Sequence, residues 1–156
     1  MNISSYKMTL GTFLIAAEDD AITMVKLADA NSVRPRAPSK LTDRAAQQLE
    51  EYLAGERRVF DLPLNLRGTE FQRSVWHVLK TIPYGQTRSY KQIAQLLNKP
   101  NACRAVGMAN NKNPIWIIIP CHRVIGSNGS LVGYGGGLDV KKKLLLLENP
   151  YFRERS

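Results

Sequence analysis

The 156-residue sequence predicts an α/β N-terminal domain followed by a mostly helical C-terminal domain built on a helix-turn-helix. Three observations lead there. Strand-like runs fill the first thirty residues, amphipathic helical runs recur from residue 40 onward, and acidic side chains vanish from the middle of the chain. Residues 1–70 carry nine Lys/Arg and ten Asp/Glu, whereas residues 71–138 carry eight Lys/Arg and no acid. Solvated faces ordinarily mix both signs, so a one-signed stretch is the footprint of a polyanion, and nucleic acid is the expected partner.

Composition excludes several classes. No apolar run approaches the ~20 residues that span a bilayer. The opening MNISSYKMTLGTF lacks the charged-then-apolar layout of a signal peptide, so a cytoplasmic protein without a membrane partner is expected. Two cysteines cannot build a disulfide framework. Cys103, Cys121, His77 and His122 show no metal-ligand spacing, so neither a metal nor a cofactor is expected.

Taken in order, ISSYKMTL, GTFLIAAE and AITMVKLA read as strands, separated by Gly11 and by Glu18-Asp19-Asp20. Leu41, Ala45, Leu49 and Leu53 recur at helical spacing, with a stop at Gly55. VFDLPLNLRG then looks extended, and a boundary near Leu66–Gly68 separates a domain of residues 1–67 from one of 68–156. Thr69 and Gln72 have capping-box spacing, and Phe71, Val75, Val78, Leu79 and Ile82 follow on one helical face until Pro83-Tyr84-Gly85. Ser89 and Gln92 repeat the box, with Ile93, Leu96 and Leu97 behind them. Asn98–Asn101 forms a tight turn, and Asn101 is placed to cap a helix from Ala102 to about Asn111, completing a helix-turn-helix. The apolar run Ile115–Ile119 reads as a strand that stops at Pro120. Asn128-Gly129 signals a hairpin turn, Gly133 and Gly135–Gly137 form a loop around Tyr134, and Leu138–Glu148 is a last helix that docks on the core.

Cys121-His122-Arg123 sets a thiol, an imidazole and a guanidinium side by side, a trio that is costly to bury unless each member is paired. A thiol becomes a good nucleophile when a neighbouring base or cation helps remove its proton. Along an unbroken strand Cys121 and His122 would face opposite sides, but a turn at Pro120 would let them meet. Cys103 has no base beside it and reads as structural.

IPCHRVIGSNGSLVGYGGGL, SYKQIA and RAVGMANNKNP closely resemble the O6-alkylguanine-DNA alkyltransferases, with the likeness running from about Gly68 to Glu148. The resemblance implies a ribonuclease-H-like N-terminal domain and a winged-helix-like C-terminal one. It implies repair of O6-alkylguanine, and of O4-alkylthymine, in double-stranded DNA by irreversible transfer of the alkyl group to Cys121. In that scheme His122 is the general base acting through a water and Glu148 orients it. Asn113 spans the DNA-binding helix and the active-site turn, and Tyr90 rotates the nucleotide and hydrogen-bonds the flipped base. Arg104 is the finger that fills the vacated stack. Lys91, Ala105, Gly107, Arg123 and Ser127 would also meet DNA, while Val124, Tyr134 and Gly135 would wall the base pocket. A chain that is monomeric in solution and cooperative on DNA fits the same resemblance. Small residues Ala102, Ala105, Gly107 and Ala109 would let their helix approach a narrow groove.

Gly135, Trp116, Lys143 and Leu147 depart from residues frequent in that family, which bears on local packing and pocket width. Three rivals fit less well. A non-enzymatic lesion-recognition protein would lack Cys121, a thiol hydrolase gives the acid-free segment no role, and a sequence-specific transcription factor would need a dimerisation element that the sequence does not display.

Overall fold

The computed structural model describes residues 1–29, 35 and 37–154. The chain forms two compact units, Met1–Arg67 with Pro114–Trp116, and the rest from Gly68 onward. Among the described residues, no helix is long and apolar enough to cross a membrane.

In the first unit β1 (Asn2–Met8), β2 (Gly11–Glu18) and β3 (Ala21–Leu27) form an antiparallel meander in the order β1-β2-β3. The two-residue turn Asp19-Asp20 joins β2 to β3 with φ of 51° and 61°. Positive φ at both turn positions matches the right-handed twist of the flanking strands. Central β2 is buried from Phe13 to Ala17, and Leu14 and Ala16 cluster with Ile3 and Met24.

Helix α1 (Lys40–Leu53) begins at a Ser39–Thr42 capping box. Its buried stripe is Thr42, Ala45, Ala46, Leu49 and Tyr52, rotated from the expected Leu41-to-Leu53 line, whose end residues are only half-buried. A polar contact accompanies this rotation: the Tyr6 hydroxyl lies 2.9 Å from Thr42 Oγ1 and 2.6 Å from Asp43 Oδ1. Buried Gln48 clamps the following segment by accepting from the Asp61 N–H and donating to the Asp61 carbonyl.

The strand expected over Ile115–Ile119 does not form. Val25 N–H donates to the Pro114 carbonyl and Trp116 N–H to the Val25 carbonyl, both at 2.9 Å, forming a bridge between Val25 and Ile115 rather than a strand. Ile117 then turns the chain at φ 71°, an unfavourable conformation for a β-branched residue. Complete burial of Ile115 and Ile119, with Ile117 nearly so, offsets that strain.

The second unit holds α2 (Glu70–Leu79), α3 (Tyr90–Leu96), α4 (Cys103–Asn111) and α5 (Leu138–Glu148). It also holds a short parallel pair, β4 (Arg88–Ser89) with β5 (Val124–Ile125). Capping boxes at Thr69–Gln72 and Ser89–Gln92 start α2 and α3 as expected. Helix α4 packs on both α2 and α3. Asn101 does not cap it: the N-cap is Ala102, without a side-chain bond. Leu96 is 59% exposed rather than packed, because Ile93 and Ala94 already fill the inner face of the short α3. Asn128-Gly129 does make a turn, with Gly129 at φ 85°, but no hairpin follows because β5 pairs in parallel with β4.

The apolar face of α2 includes Trp76, which the sequence pattern had not marked. Its ring is buried, its Nε1–H donates 2.8 Å to the Ala109 carbonyl of α4, and it lies so close to Gly68 that a Cβ there would meet it at 2.6 Å. Trp76→Phe removes one of the hydrogen bonds that this buried carbonyl accepts, leaving the one from the Lys112 N–H at 3.2 Å, and opens a void. We expect a loss of roughly 1–2 kcal/mol, read as a lowered urea midpoint at unchanged slope. A change under ~0.5 kcal/mol would show that the α2–α4 contact does not depend on the indole.

Candidate active site

The site is built on a 3-10 turn, Cys121–Arg123, that follows Pro120. Arg123 N–H donates to the Pro120 carbonyl at 3.0 Å and Cys121 N–H to the Ile119 carbonyl at 2.8 Å. Cys121, His122, Arg123 and Val124 are all buried. Two side-chain amides hold this backbone. Asn113 Nδ2 donates to the Ile119 carbonyl at 2.8 Å, and Asn110 Nδ2 reaches the Cys121 carbonyl at 3.4 Å. Asn113 also hydrogen-bonds the Cys121 sulfur.

Glu148, at the end of α5, is the hub. One carboxylate oxygen lies 2.7 Å from His122 Nε2 and accepts from Arg123 Nη2 at 2.9 Å. The other accepts from Arg123 Nε at 2.7 Å and from the Gly85 N–H at 3.2 Å. Arg123 Nη1 donates to the Ile82 carbonyl, and its guanidinium carbon lies 5.7 Å from the Tyr84 ring centre. Burial alone would raise the pKa of Glu148, but the bonds from His122 and Arg123 outweigh it and hold the carboxyl far below the usual range. A carboxylate is an acceptor only, so the proton of neutral His122 belongs on Nε2. Nδ1 then carries the lone pair, and it is buried without a hydrogen-bond partner. Burial lowers the His122 pKa despite Glu148, so the ring is a neutral base at pH 7.

The thiol is not activated at rest. Burial pushes Cys121 up to about 11, with Asn113, Lys141 and nearby backbone N–H groups opposing the shift. Tyr90, half-buried at the start of α3, donates its hydroxyl to the Val132 carbonyl at 2.8 Å. Its pKa rises to about 12, chiefly through burial and then through the charge of Cys121. Tyr134 is raised well above 10 for the same two reasons. Both phenols therefore keep their protons.

Cys121, His122, Glu148, Asn113, Tyr90 and Tyr134 thus lie in one region of the second unit, with Val124 buried in β5 and Gly135 exposed in the loop beyond. On α4, Arg104 and Ala105 are exposed and Gly107 packs beside the Tyr90 ring. Lys91 and Ser127 lie exposed on α3 and on the turn after β5. Arg123 does not face outward: expected at DNA, it is 7% exposed and committed to Glu148, because that buried carboxylate needs a cation. Ala109 is likewise buried, and the outer face of α4 instead carries Met108, 67% exposed.

Sequence reasoning missed Lys141 and Asn110. Lys141 is fully buried, with Nζ donating to the carbonyls of Val132 at 2.9 Å and Gly133 at 3.2 Å. A signal existed: Lys141, Leu144, Leu145 and Glu148 follow the i, i+3, i+4, i+7 pattern of one helical face.

Comparison with known proteins covers nearly the whole chain. Residues 1–66 match the family model described as the 6-O-methylguanine DNA methyltransferase ribonuclease-like domain, and residues 70–150 match the DNA binding domain of the same family. A methylated-DNA–protein-cysteine methyltransferase of Mycolicibacterium paratuberculosis is 50% identical over 89% of this chain and 87% of that one. A constitutive one of Bacillus subtilis is 44% identical over 94% of each. Among solved structures, Mycobacterium tuberculosis OGT in complex with DNA superposes with a TM-score of 0.89 at 44% identity, over 96% of this chain and 94% of that one.

Because His122 stays neutral when folded but takes up a proton near its ordinary value of 6.5 once unfolded, it contributes stability above that pH. The contribution declines as pH falls below 6.5 toward the lower folded value. Urea midpoints should therefore drop as pH falls below about 6.5, and His122→Asn should flatten that slope. An unchanged slope in a folded variant would place the titrating group elsewhere.

Proposed function

Because the chain belongs to the 6-O-methylguanine DNA methyltransferase family, we propose that it repairs O6-alkylguanine, and O4-alkylthymine, in double-stranded DNA by moving the alkyl group irreversibly to Cys121. The observation that carries this reading is the free lone pair of buried His122 Nδ1, one residue from a buried thiol, with the far side of the ring held by Glu148.

His122 takes the thiol proton through an intervening water, and Glu148 stabilises the imidazolium that results. Arg123 keeps Glu148 ionised for that purpose, so its role is to position rather than to bind DNA. The thiolate attacks the alkyl carbon in one displacement: the S–C bond forms, the C–O6 bond breaks, and the electron pair leaves with guanine. Tyr90, whose high pKa preserves its proton until then, protonates the departing base. Asn113 holds the turn and the sulfur in register. A thioether has no good leaving group, so Cys121 is spent after one transfer. The reaction so written needs no metal or cofactor.

A base inside a duplex hides its O6, so the nucleotide must be flipped out, at a few kcal/mol of unstacking. Helices α3 and α4 with their intervening turn act as the helix-turn-helix, and the exposed Arg104 on α4 fills the vacated stack. Ala105 and Gly107 let that helix approach a groove, and Lys91 and Ser127 contact backbone phosphates. Val124, Tyr134 and Gly135 wall the pocket that receives the base. Residues 68–156 thus bind DNA and carry the chemistry, while residues 1–67 form the ribonuclease-H-like domain.

With duplex DNA bearing one O6-methylguanine, product should plateau at about one equivalent per protein, with the added mass on the Cys121 peptide. Cys121→Ser should abolish transfer with DNA affinity nearly unchanged. Multiple turnovers, or methylation of Cys103, would overturn the assignment. Arg104→Ala should slow transfer from duplex DNA by about tenfold or more, yet leave transfer from a free alkylated base nearly untouched. An equal loss on both substrates would refute the finger.

A further inference from the structure

Among the described residues, two buried side-chain atoms have no hydrogen-bond partner, His122 Nδ1 and Asn110 Oδ1. The transfer step uses the first and leaves the second unexplained. Asn110 lies near the end of α4 and is 2% exposed. Its amide has one sensible orientation. Nδ2 reaches the Cys121 carbonyl at 3.4 Å, where an oxygen would set acceptor against acceptor. Oδ1 is therefore the atom left over, and a buried acceptor without a donor calls for one. Its neighbours are those of the reaction. The same amide is a hydrogen-bond partner of the Tyr90 hydroxyl and works against the burial that raises that phenol, the effect of a donor. The Tyr90 ring lies 3.8 Å from where a Cβ on Gly107 would stand, one helical turn before Asn110. Asn110 thus sits between the phenol that protonates the departing base and the backbone of the residue that takes the alkyl group.

A lesion with its alkyl carbon at the sulfur turns its Watson–Crick edge toward these groups, the edge by which flipped bases are read. Alkylation at O6 removes the N1 proton of guanine, so its ring nitrogens are acceptors and its only N–H groups are those of the 2-amino group. Alkylation at O4 removes the N3 proton of thymine, and O4-alkylthymine then carries no N–H at all. An unmet acceptor can be satisfied by the first base and not by the second. We propose that Asn110 is a specificity-determining residue: its Oδ1 accepts a hydrogen bond from the 2-amino group of flipped O6-alkylguanine, which O4-alkylthymine cannot offer. The proposal rests on the reading of Cys121 as the acceptor of alkyl groups from both lesions. Because Oδ1 is already unmet in the free protein, a base without a donor forgoes a gain and incurs no fresh penalty. The preference is therefore graded, about tenfold for one net hydrogen bond, and not the far larger exclusion that follows when binding strips a site of its partners. O4-alkylthymine remains a slower substrate.

The test compares single-turnover transfer to Cys121 from duplexes that differ at one base: O6-methylguanine, O4-methylthymine, and O6-methylhypoxanthine, which is O6-methylguanine without the 2-amino group. Wild-type protein should favour O6-methylguanine over O6-methylhypoxanthine by about tenfold. In Asn110→Leu, similar in size but without an acceptor, that ratio should fall toward one, and the guanine-to-thymine ratio should fall by the same factor. Losing the brace on the Cys121 carbonyl slows every substrate alike, so the ratios isolate Oδ1. Unchanged ratios in the folded variant overturn the proposal. Should Asn110→Leu fail to fold, Cys121→Ser protein with carbon-13-labelled asparagine decides. The Asn110 side-chain carbonyl resonance should shift on binding the O6-methylguanine duplex and not the O6-methylhypoxanthine duplex, and equal shifts overturn it. Wild-type transfer with a guanine-to-hypoxanthine ratio near one overturns the proposal while leaving Cys121 as the acceptor. No transfer from any duplex overturns the acceptor reading, and the proposal with it.

Discussion

The second unit is organised around one buried carboxylate. Glu148 ends α5, yet hydrogen bonds to its carboxylate come from His122 and Arg123 on the turn and from Gly85 beyond α2, and Arg123 extends the network to the Ile82 carbonyl. A buried charge with an imperfect set of partners would cost several kcal/mol, and removing one partner of such a pair typically costs about 3–5 kcal/mol. The turn, the end of α2 and the end of α5 are thus bound into one arrangement or none. Orientation of the His122 ring is a by-product of satisfying that charge.

The same dryness governs the chemistry. Burial pushes the Cys121 thiol up to about 11, so it stays protonated in the free protein. The neutral imidazole, the two protonated phenols and the ionised carboxylate follow from local surroundings rather than from residue type. Burial sets the direction for His122, Tyr90 and Tyr134, and within the site it is outweighed at Glu148, where the His122 and Arg123 side chains converge. An acceptor used once needs no route to regeneration, so a closed, well-packed site carries no penalty in turnover.

Helix α4 has two faces with different duties. Val106, Ala109 and Asn110 point inward, where Ala109 receives the Trp76 indole and Asn110 braces the Cys121 carbonyl. Arg104, Ala105 and Met108 point outward. The helix whose outer face carries Arg104 and Met108 therefore also supports the Cys121 turn from behind, so that face and the geometry at the sulfur share one element.

Much of this was legible from the sequence by itself. Strand alternation, the Asp19-Asp20 turn and the two capping boxes are local, and local rules determine them. The acid-free stretch pointed to nucleic acid through charge alone, and the thiol acceptor was legible through the family resemblance that the PCHRV segment carries, not through Cys-His adjacency. Tertiary structure decided the rest. Nothing near Arg123 in the chain announces that its partner is Glu148, 25 residues away, so a cation read as a DNA contact became an internal counter-ion. Ile115–Ile119 has strand composition, but after bridging to Val25 at Ile115 the run turns at Ile117 instead of continuing as a strand. Lys141 looks like one of three surface lysines until the helix face it shares with Glu148 is packed inward. Charge, propensity and motif are properties of short segments; which charge meets which, and at what depth, depends on contacts between segments that only the folded chain brings together.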